Sequence, residues 1–180
     1  MVKMQSKDNF RIKYVHISFK FLFESFRNQN ICLLFKVSWY SKDDQMNFCG
    51  GSIYSENVII TAAHCCQGIF ESDPPAALED FYIIGGELDL SKDSGTEQRR
   101  NIKAYKYHPD YATLPNGGCE NDVCLLYLDT PFDLTQPDIS TITIAQEDPA
   151  QSTECLISGW GTTYVSRTWL KILHHIATFV

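Results

Sequence analysis

The sequence predicts an all-β protein, a barrel or sandwich of short strands. Runs rich in Ile, Val, Tyr and Phe recur along the chain, turn-forming residues separate them, and no internal repeat or low-complexity tract intervenes. In order, the expected strands are residues 33–40, 57–61, 81–84, 102–107, 123–128, 141–144 and 155–158. Pro74 and Pro75, Gly85 and Gly86, residues 116–118 and Pro131 mark the breaks, because Pro removes a ladder donor and Gly tolerates turn conformations closed to other residues. The final stretch, 166–180, fits a helix or a strand equally.

Composition narrows the function classes. The chain has 180 residues, 44% hydrophobic and 21% charged, enough apolar material for a core and too much for a disordered polar tail. Fifteen Lys and Arg against 22 Asp and Glu leave a net charge of −7, which argues against a general nucleic-acid binder that must neutralise phosphates. No apolar run reaches the roughly 18 residues that a membrane-spanning helix needs. Seven cysteines fit an oxidising compartment, and the odd number leaves one thiol free or one partner missing.

The charge is uneven. Residues 1–30 hold six basic side chains (Lys3, Lys7, Arg11, Lys13, Lys20, Arg27) and two acidic ones (Asp8, Glu24), a local +4, so the remainder carries −11. The best apolar stretch there, residues 15–26, is broken by His16, Lys20 and Glu24 and fails as a secretory signal. Its alternation through Ile17, Phe19, Phe21 and Phe23 fits a strand, but the segment is left as an unassigned leader.

Three segments carry chemistry. Cys49-Gly50-Gly51-Ser52 is followed by Thr61-Ala62-Ala63-His64-Cys65, which sets an imidazole at the end of an apolar strand between two cysteines. A general base must hold hydrogen-bond geometry to a nucleophile and to an orienting acid, so a pinned His suits that role; a packed structural histidine is the alternative. Asp122 opens the apolar run Val123-Cys124-Leu125-Leu126, where an ionised carboxylate needs a donor such as an imidazole N–H. A turn Asp is the alternative there. The third segment, residues 155–162, is a strand ending in Gly159-Trp160-Gly161, whose glycines let backbone approach the indole.

These segments, in this order, resemble the trypsin-like serine endopeptidases of the chymotrypsin fold over about residues 33–163, and His108-Pro109-Asp110-Tyr111 adds a weaker match. The resemblance implies a chymotrypsin-like double β-barrel: a first barrel over 31–138, a linker over 139–150 and the opening of a second barrel over 151–180. It implies that His64 is the general base, that Asp122 is its buried acid, and that Cys49 and Cys65 form the bridge beside the His. Such a bridge stabilises by roughly 3 kcal/mol, mainly by restricting the unfolded chain. Cys66 and Cys124, sequence neighbours of the bridge cysteine and the acid, are expected to face the first barrel's interior and pair. Cys155 resembles a family cysteine whose partner lies near the nucleophile. Cys32 and Cys119 stay unassigned, and no CxxC or His-rich spacing supports zinc.

Departures from the family matter as much. Its nucleophile lies in a Gly-Asp-Ser-Gly-Gly segment well downstream of the Gly-Trp-Gly turn, whereas this sequence ends 19 residues after Gly161, so the catalytic serine is expected to be absent from the chain as given. Asp93-Ser94-Gly95 lies between His64 and Asp122 and lacks the flanking motif. No basic residue precedes an Ile-Val-Gly-Gly-like start, so activation by release of such an amine is not expected. Glu87 and Glu97, ten positions apart, resemble the calcium-binding loop of some trypsins. There both carboxylates would bind the ion, with backbone carbonyls of Asp89 and Lys92 completing a hard-oxygen shell; an ordinary solvated acidic loop is the alternative. His174 and His175 are expected at the surface.

The implied activity is peptide-bond hydrolysis by acyl transfer, with no required cofactor, calcium at most as a structural ion, protein or peptide substrates, protein protease inhibitors as partners, and an extracellular location. Two alternatives stay open: a non-catalytic protease homologue that binds proteins, and a partial gene product without independent function.

Overall fold

The computed structural model describes residues 34–73, 75–146, 154–160 and 174–179, with only the backbone of 154–157 and 174–179. The leader over 1–30 lies outside the described residues, as does Cys32.

Six antiparallel strands close into a barrel. They are β1 (Lys36–Ser41), β2 (Asn47–Ser55), β3 (Val58–Thr61), β4 (Phe81–Gly85), β5 (Gln98–Tyr107) and β8 (Cys124–Leu128), in spatial order β1-β2-β3-β8-β5-β4. Two short strands, β6 (Ala112–Thr113) and β7 (Cys119–Glu120), make a separate hairpin between β5 and β8. Beyond the barrel, β9 (Glu154–Gly159) pairs with β10 (His174–Phe179), so that part of the ambiguous tail is a strand. Among the described residues the protein is mostly β, with one short helix, α1 (Ala63–Phe70), and one 3₁₀ turn at Leu78–Asp80.

Period-two burial fills the barrel. Val37 and Trp39 from β1, Ile53 from β2, Ile59 from β3, Ile83 from β4, Ile102 from β5 and Leu126 from β8 point inward. Trp39 anchors one end, with ring centroids 5.0 Å from Phe48 and 5.7 Å from Phe70. Both contacts are tilted, and Phe81 meets the same indole edge-on at 6.3 Å, a geometry that adds to the area the rings bury.

Three expectations need correction. Residues 141–144 form no strand: Ile142 is buried and its N–H donates to the Ile53 carbonyl at 2.8 Å, so the alternation reflects packing on the barrel without a ladder. β5 begins at Gln98, earlier than expected, because Gln98 to Asn101 pair with β4 despite their polar side chains. His64 is not at a strand end: β3 stops at Thr61 and His64 lies in the first turn of α1.

β2 also runs through Gly50 and Gly51, a composition that disguises it. A Cβ on Gly51 would lie 2.6 Å from Ile59 Cγ2 and 3.0 Å from the Ile60 carbonyl oxygen, whereas one on Gly50 meets only the Val37 carbonyl at 3.5 Å. Glycine at 51 is therefore what lets β2 approach β3. Gly51→Ala should destabilise the fold by about 1–3 kcal/mol through overpacking, and Gly50→Ala by less than about 0.5 kcal/mol. Thermal unfolding of the two variants checks the contrast, and equal losses would refute it.

Candidate active site

β3 and β8 are antiparallel neighbours with Thr61 opposite Cys124, so the chain leaving β3 and the chain entering β8 emerge at one end of the barrel. His64 follows the first and Asp122 precedes the second. Asn121 adopts φ 51°, a conformation that Asn tolerates better than most residues, and its side-chain amide donates to the Asp110 carbonyl at 2.8 Å. That bend turns Asp122 under α1.

Asp122 is 4% exposed, and its carboxylate accepts two bonds from His64. The His64 backbone N–H donates to Oδ1 at 2.8 Å, and His64 Nδ1 lies 2.7 Å from Oδ2. Since an ionised carboxylate only accepts, Nδ1 carries the proton and Nε2 is left to act on whatever lies in front. The backbone bond also satisfies a first-turn amide of α1, whose N-cap, Ala62, has no side chain to do so. Negative charge at a helix N-terminus is favourable as well. The sequence holds no signal for this second bond, because the donor is backbone.

The two residues after His64 are each tied to the barrel. Cys65 is bridged to Cys49 on β2 and Cys66 to Cys124 on β8, with Cα separations of 6.5 and 6.6 Å. Cys66 and Cys124 stand two positions beyond His64 and Asp122 respectively, so the second bridge runs alongside the His–Asp contact. The sulfurs of Cys49 and Cys65 and one His64 ring nitrogen gather within 4.8 Å of one another, but bridged sulfurs are not thiolates and make no metal centre. Cys119 is unpaired among the described residues, 3.6 Å from the Tyr111 hydroxyl.

The His64 side chain is 51% exposed while that of Asp122 is nearly covered. The bond to Asp122 raises the imidazole above its ordinary value near 6.5, against an opposing effect of burial. Burial pushes the Asp122 carboxyl up, but the bonds from His64 outweigh it and hold the group below the usual carboxylate range. Linkage gives each its window: the His64 contribution to stability is complete below its unfolded value and is lost as pH rises through the raised folded one. The Asp122 contribution is present above its unfolded value and is lost as pH falls through the depressed one.

At residues 87–97, Glu87 is 8% exposed, its Oε1 has no partner, and Glu97 Oε2 is likewise buried and unpartnered. Glu97 Oε1 accepts the Ser94 N–H and hydroxyl at 2.8 and 2.7 Å, so Ser94 serves this loop. Burial, and then the Glu97 charge, push the Glu87 carboxyl above its ordinary range. The Asp89 carbonyl accepts the Lys92 N–H at 2.8 Å, and the Asp89 carboxylate lies 3.3 Å from Lys92 Nζ. Of the four expected positions, the two glutamates carry the case for an ion. Trp160, unassigned any contact in the sequence, is 5% exposed and donates from Nε1 to the Leu88 carbonyl at 3.2 Å. The His174 and His175 side chains lie outside the described residues.

A buried acid behind a half-exposed imidazole, at one end of a closed six-stranded antiparallel barrel, defines a chymotrypsin-like protein. The family model described as Trypsin matches residues 28–176, and the chain belongs to the trypsin family. Kallikrein-11 of Mus musculus is 33% identical over 129 residues, covering 71% of this chain and 42% of the relative. Hypodermin-A of Hypoderma lineatum is 34% identical over 123 residues, 68% and 42%, and a trypsin of Sarcophaga bullata is 36% identical over 117 residues, 64% and 40%. The chain thus spans less than half the length of these relatives. Neuropsin, a serine protease expressed in the limbic system of mouse brain, superposes with a TM-score of 0.66 at 21% identity over 82% of this chain and 59% of its own, which shows the shared fold. Among the described residues no helix is long and apolar enough to cross a membrane.

Asp122→Asn should lower the His64 pKa, because it removes the charge that favours the imidazolium. NMR titration of the His64 ring reads this directly, and an unchanged midpoint would contradict the assigned cause.

Proposed function

We propose that this chain carries the general base and orienting acid of a serine-type endopeptidase that hydrolyses peptide bonds by acyl transfer. The observation that supports it best is the 2.7 Å contact between His64 Nδ1 and a covered Asp122 carboxylate, with the far edge of the imidazole open to solvent. In this reading His64 Nε2 takes the proton of an attacking serine hydroxyl and returns it to the leaving amine. Asp122 keeps the proton on Nδ1 and stabilises the imidazolium between the two transfers. The serine, the oxyanion amides and the specificity pocket belong to a Gly-Asp-Ser-Gly-Gly segment and its surroundings, which these 180 residues do not contain. Protein or peptide substrates, protein inhibitors and an extracellular location follow from the same reading, and the two disulfides support the last.

Reading the transcript beyond the codon for Val180 tests the proposal. A Gly-Asp-Ser-Gly-Gly segment supports the enzyme; a replaced serine supports a protein-binding homologue instead. In a longer product bearing that segment, His64→Ala should lower kcat/KM on peptide amides by on the order of 10⁴–10⁶-fold. The 180-residue chain alone should show no turnover above background, and a purified activity lost on His64→Ala would overturn that expectation.

The second part of the proposal is a structural calcium ion held by the 87–97 loop. The fit rests on Glu87 Oε1 and Glu97 Oε2, two buried carboxylate oxygens without donors, which are hard ligands of the kind calcium takes. The ion would offset the mutual repulsion of the two carboxylates. Calorimetric titration should show calcium uptake, with Glu87→Gln weakening it by at least about tenfold. Absence of uptake by the unaltered chain would leave the solvated-loop alternative.

A further inference from the structure

The 87–97 loop is tied at its base to the barrel and, at Leu88, to a residue far along the chain. Gly85 on β4 pairs with Gln98 on β5, and Gly86, at φ 79°, brings the two ends of the loop so close that a Cβ there would lie 3.1 Å from the Thr96 carbonyl oxygen. Between these ends the carboxylates of Glu87 and Glu97 each leave a buried oxygen without a donor. Leu88, next to Glu87, has a side chain that is largely solvent-facing, since the residue is 50% exposed, so core packing does not hold it. What holds it is its carbonyl, which accepts the Trp160 indole N–H at 3.2 Å across 72 positions of sequence. The peptide unit between Leu88 and Asp89 thus sits one residue from the Glu87 carboxylate, and its C=O is bound to the indole. Trp160 directly follows Gly159, the end of β9.

We infer that cation occupancy of the 87–97 loop is transmitted to Trp160 through the Leu88–Asp89 peptide, so that the loop works as a cation-dependent clamp between the barrel and the β9–β10 hairpin. The inference rests on the calcium reading above and adds to it a direction of coupling. A cation held between Glu87 and Glu97 fixes the backbone beside Leu88, and a loop whose Leu88 carbonyl is already held by the indole has less freedom left to lose on binding. By linkage the effect is reciprocal: an intact indole bond must favour the ion-bound loop by the same factor.

The test uses the full 180-residue chain and calcium alone. Its three tryptophans are Trp39, Trp160 and Trp169. Fluorotryptophan is incorporated biosynthetically, the resonances are followed by fluorine NMR during calcium titration, and calorimetry measures binding in parallel. Trp160→Phe assigns the resonance and removes the donor. The expected result is a Trp160 resonance that shifts with the same midpoint as the calorimetric binding, together with an affinity about fivefold weaker in Trp160→Phe. Calcium uptake with an unmoved Trp160 resonance, or with equal affinity in the variant, overturns the coupling and leaves the ion site standing. No uptake by either method overturns both. The resonance shift is read on the unmutated sequence, so the result does not depend on how well the variant folds.

Discussion

A carboxylate that is almost wholly covered has to be charged for a reason, and at Asp122 the reason is chiefly His64, which supplies two donors, with the Ala63 backbone N–H beside it. The backbone N–H and the ring of His64 converge on the two carboxylate oxygens. Removing water from an ion costs several kcal/mol unless its lone pairs are met, so the position of His64 is set as much by what Asp122 requires as by its own chain. The other arrangements at this end of the barrel serve that contact. β3 and β8 are in register so that the two residues emerge side by side, Asn121 bends the chain beneath α1, and two disulfides tie the helix to β2 and β8.

The asymmetry of exposure follows from the same constraint. Covering the acid and leaving the imidazole half open gives the pair one side facing the barrel and one facing solvent. A charge held in place on the inner side makes the outer nitrogen more basic, which is why the shifts on the two groups run in opposite directions. The 87–97 loop shows the contrary case: Glu87 Oε1 and Glu97 Oε2 are buried with no donor, and burial together with the Glu97 charge holds the Glu87 carboxyl above its ordinary range.

How far the sequence disclosed all this depended on whether the deciding contact was local. β4 and β8 are apolar runs with an inward face and stood out as strands. His64 and Asp122 stood out because an imidazole beside cysteines and a carboxylate at the mouth of an apolar run are unusual placements. β2 was hidden because Gly50 and Gly51 have poor strand propensity, and the reason for glycine at 51, the nearness of Ile59, is a contact between strands. α1 was hidden because eight residues offer little helical periodicity and no side-chain cap, and its first-turn amide is satisfied by a residue 58 positions away. Residues 141–144 misled in the opposite direction, since burial of Ile142 imitates strand alternation where no ladder exists.

The adjacent pair Cys65 and Cys66 has a consequence for how the protein is made. Four cysteines admit three pairings, and two of them would exchange the partners of these neighbours or join the neighbours to each other. In an α-helix successive residues are rotated by about 100°, so helical winding aims one thiol at β2 and the other at β8. Selection between bridged isomers thus falls to an eight-residue helix that is too short to be stable in isolation. During oxidative maturation the helix and the correct bridges have to arise together, and thiol–disulfide reshuffling before the barrel closes is the step at which a misbridged isomer can be rescued.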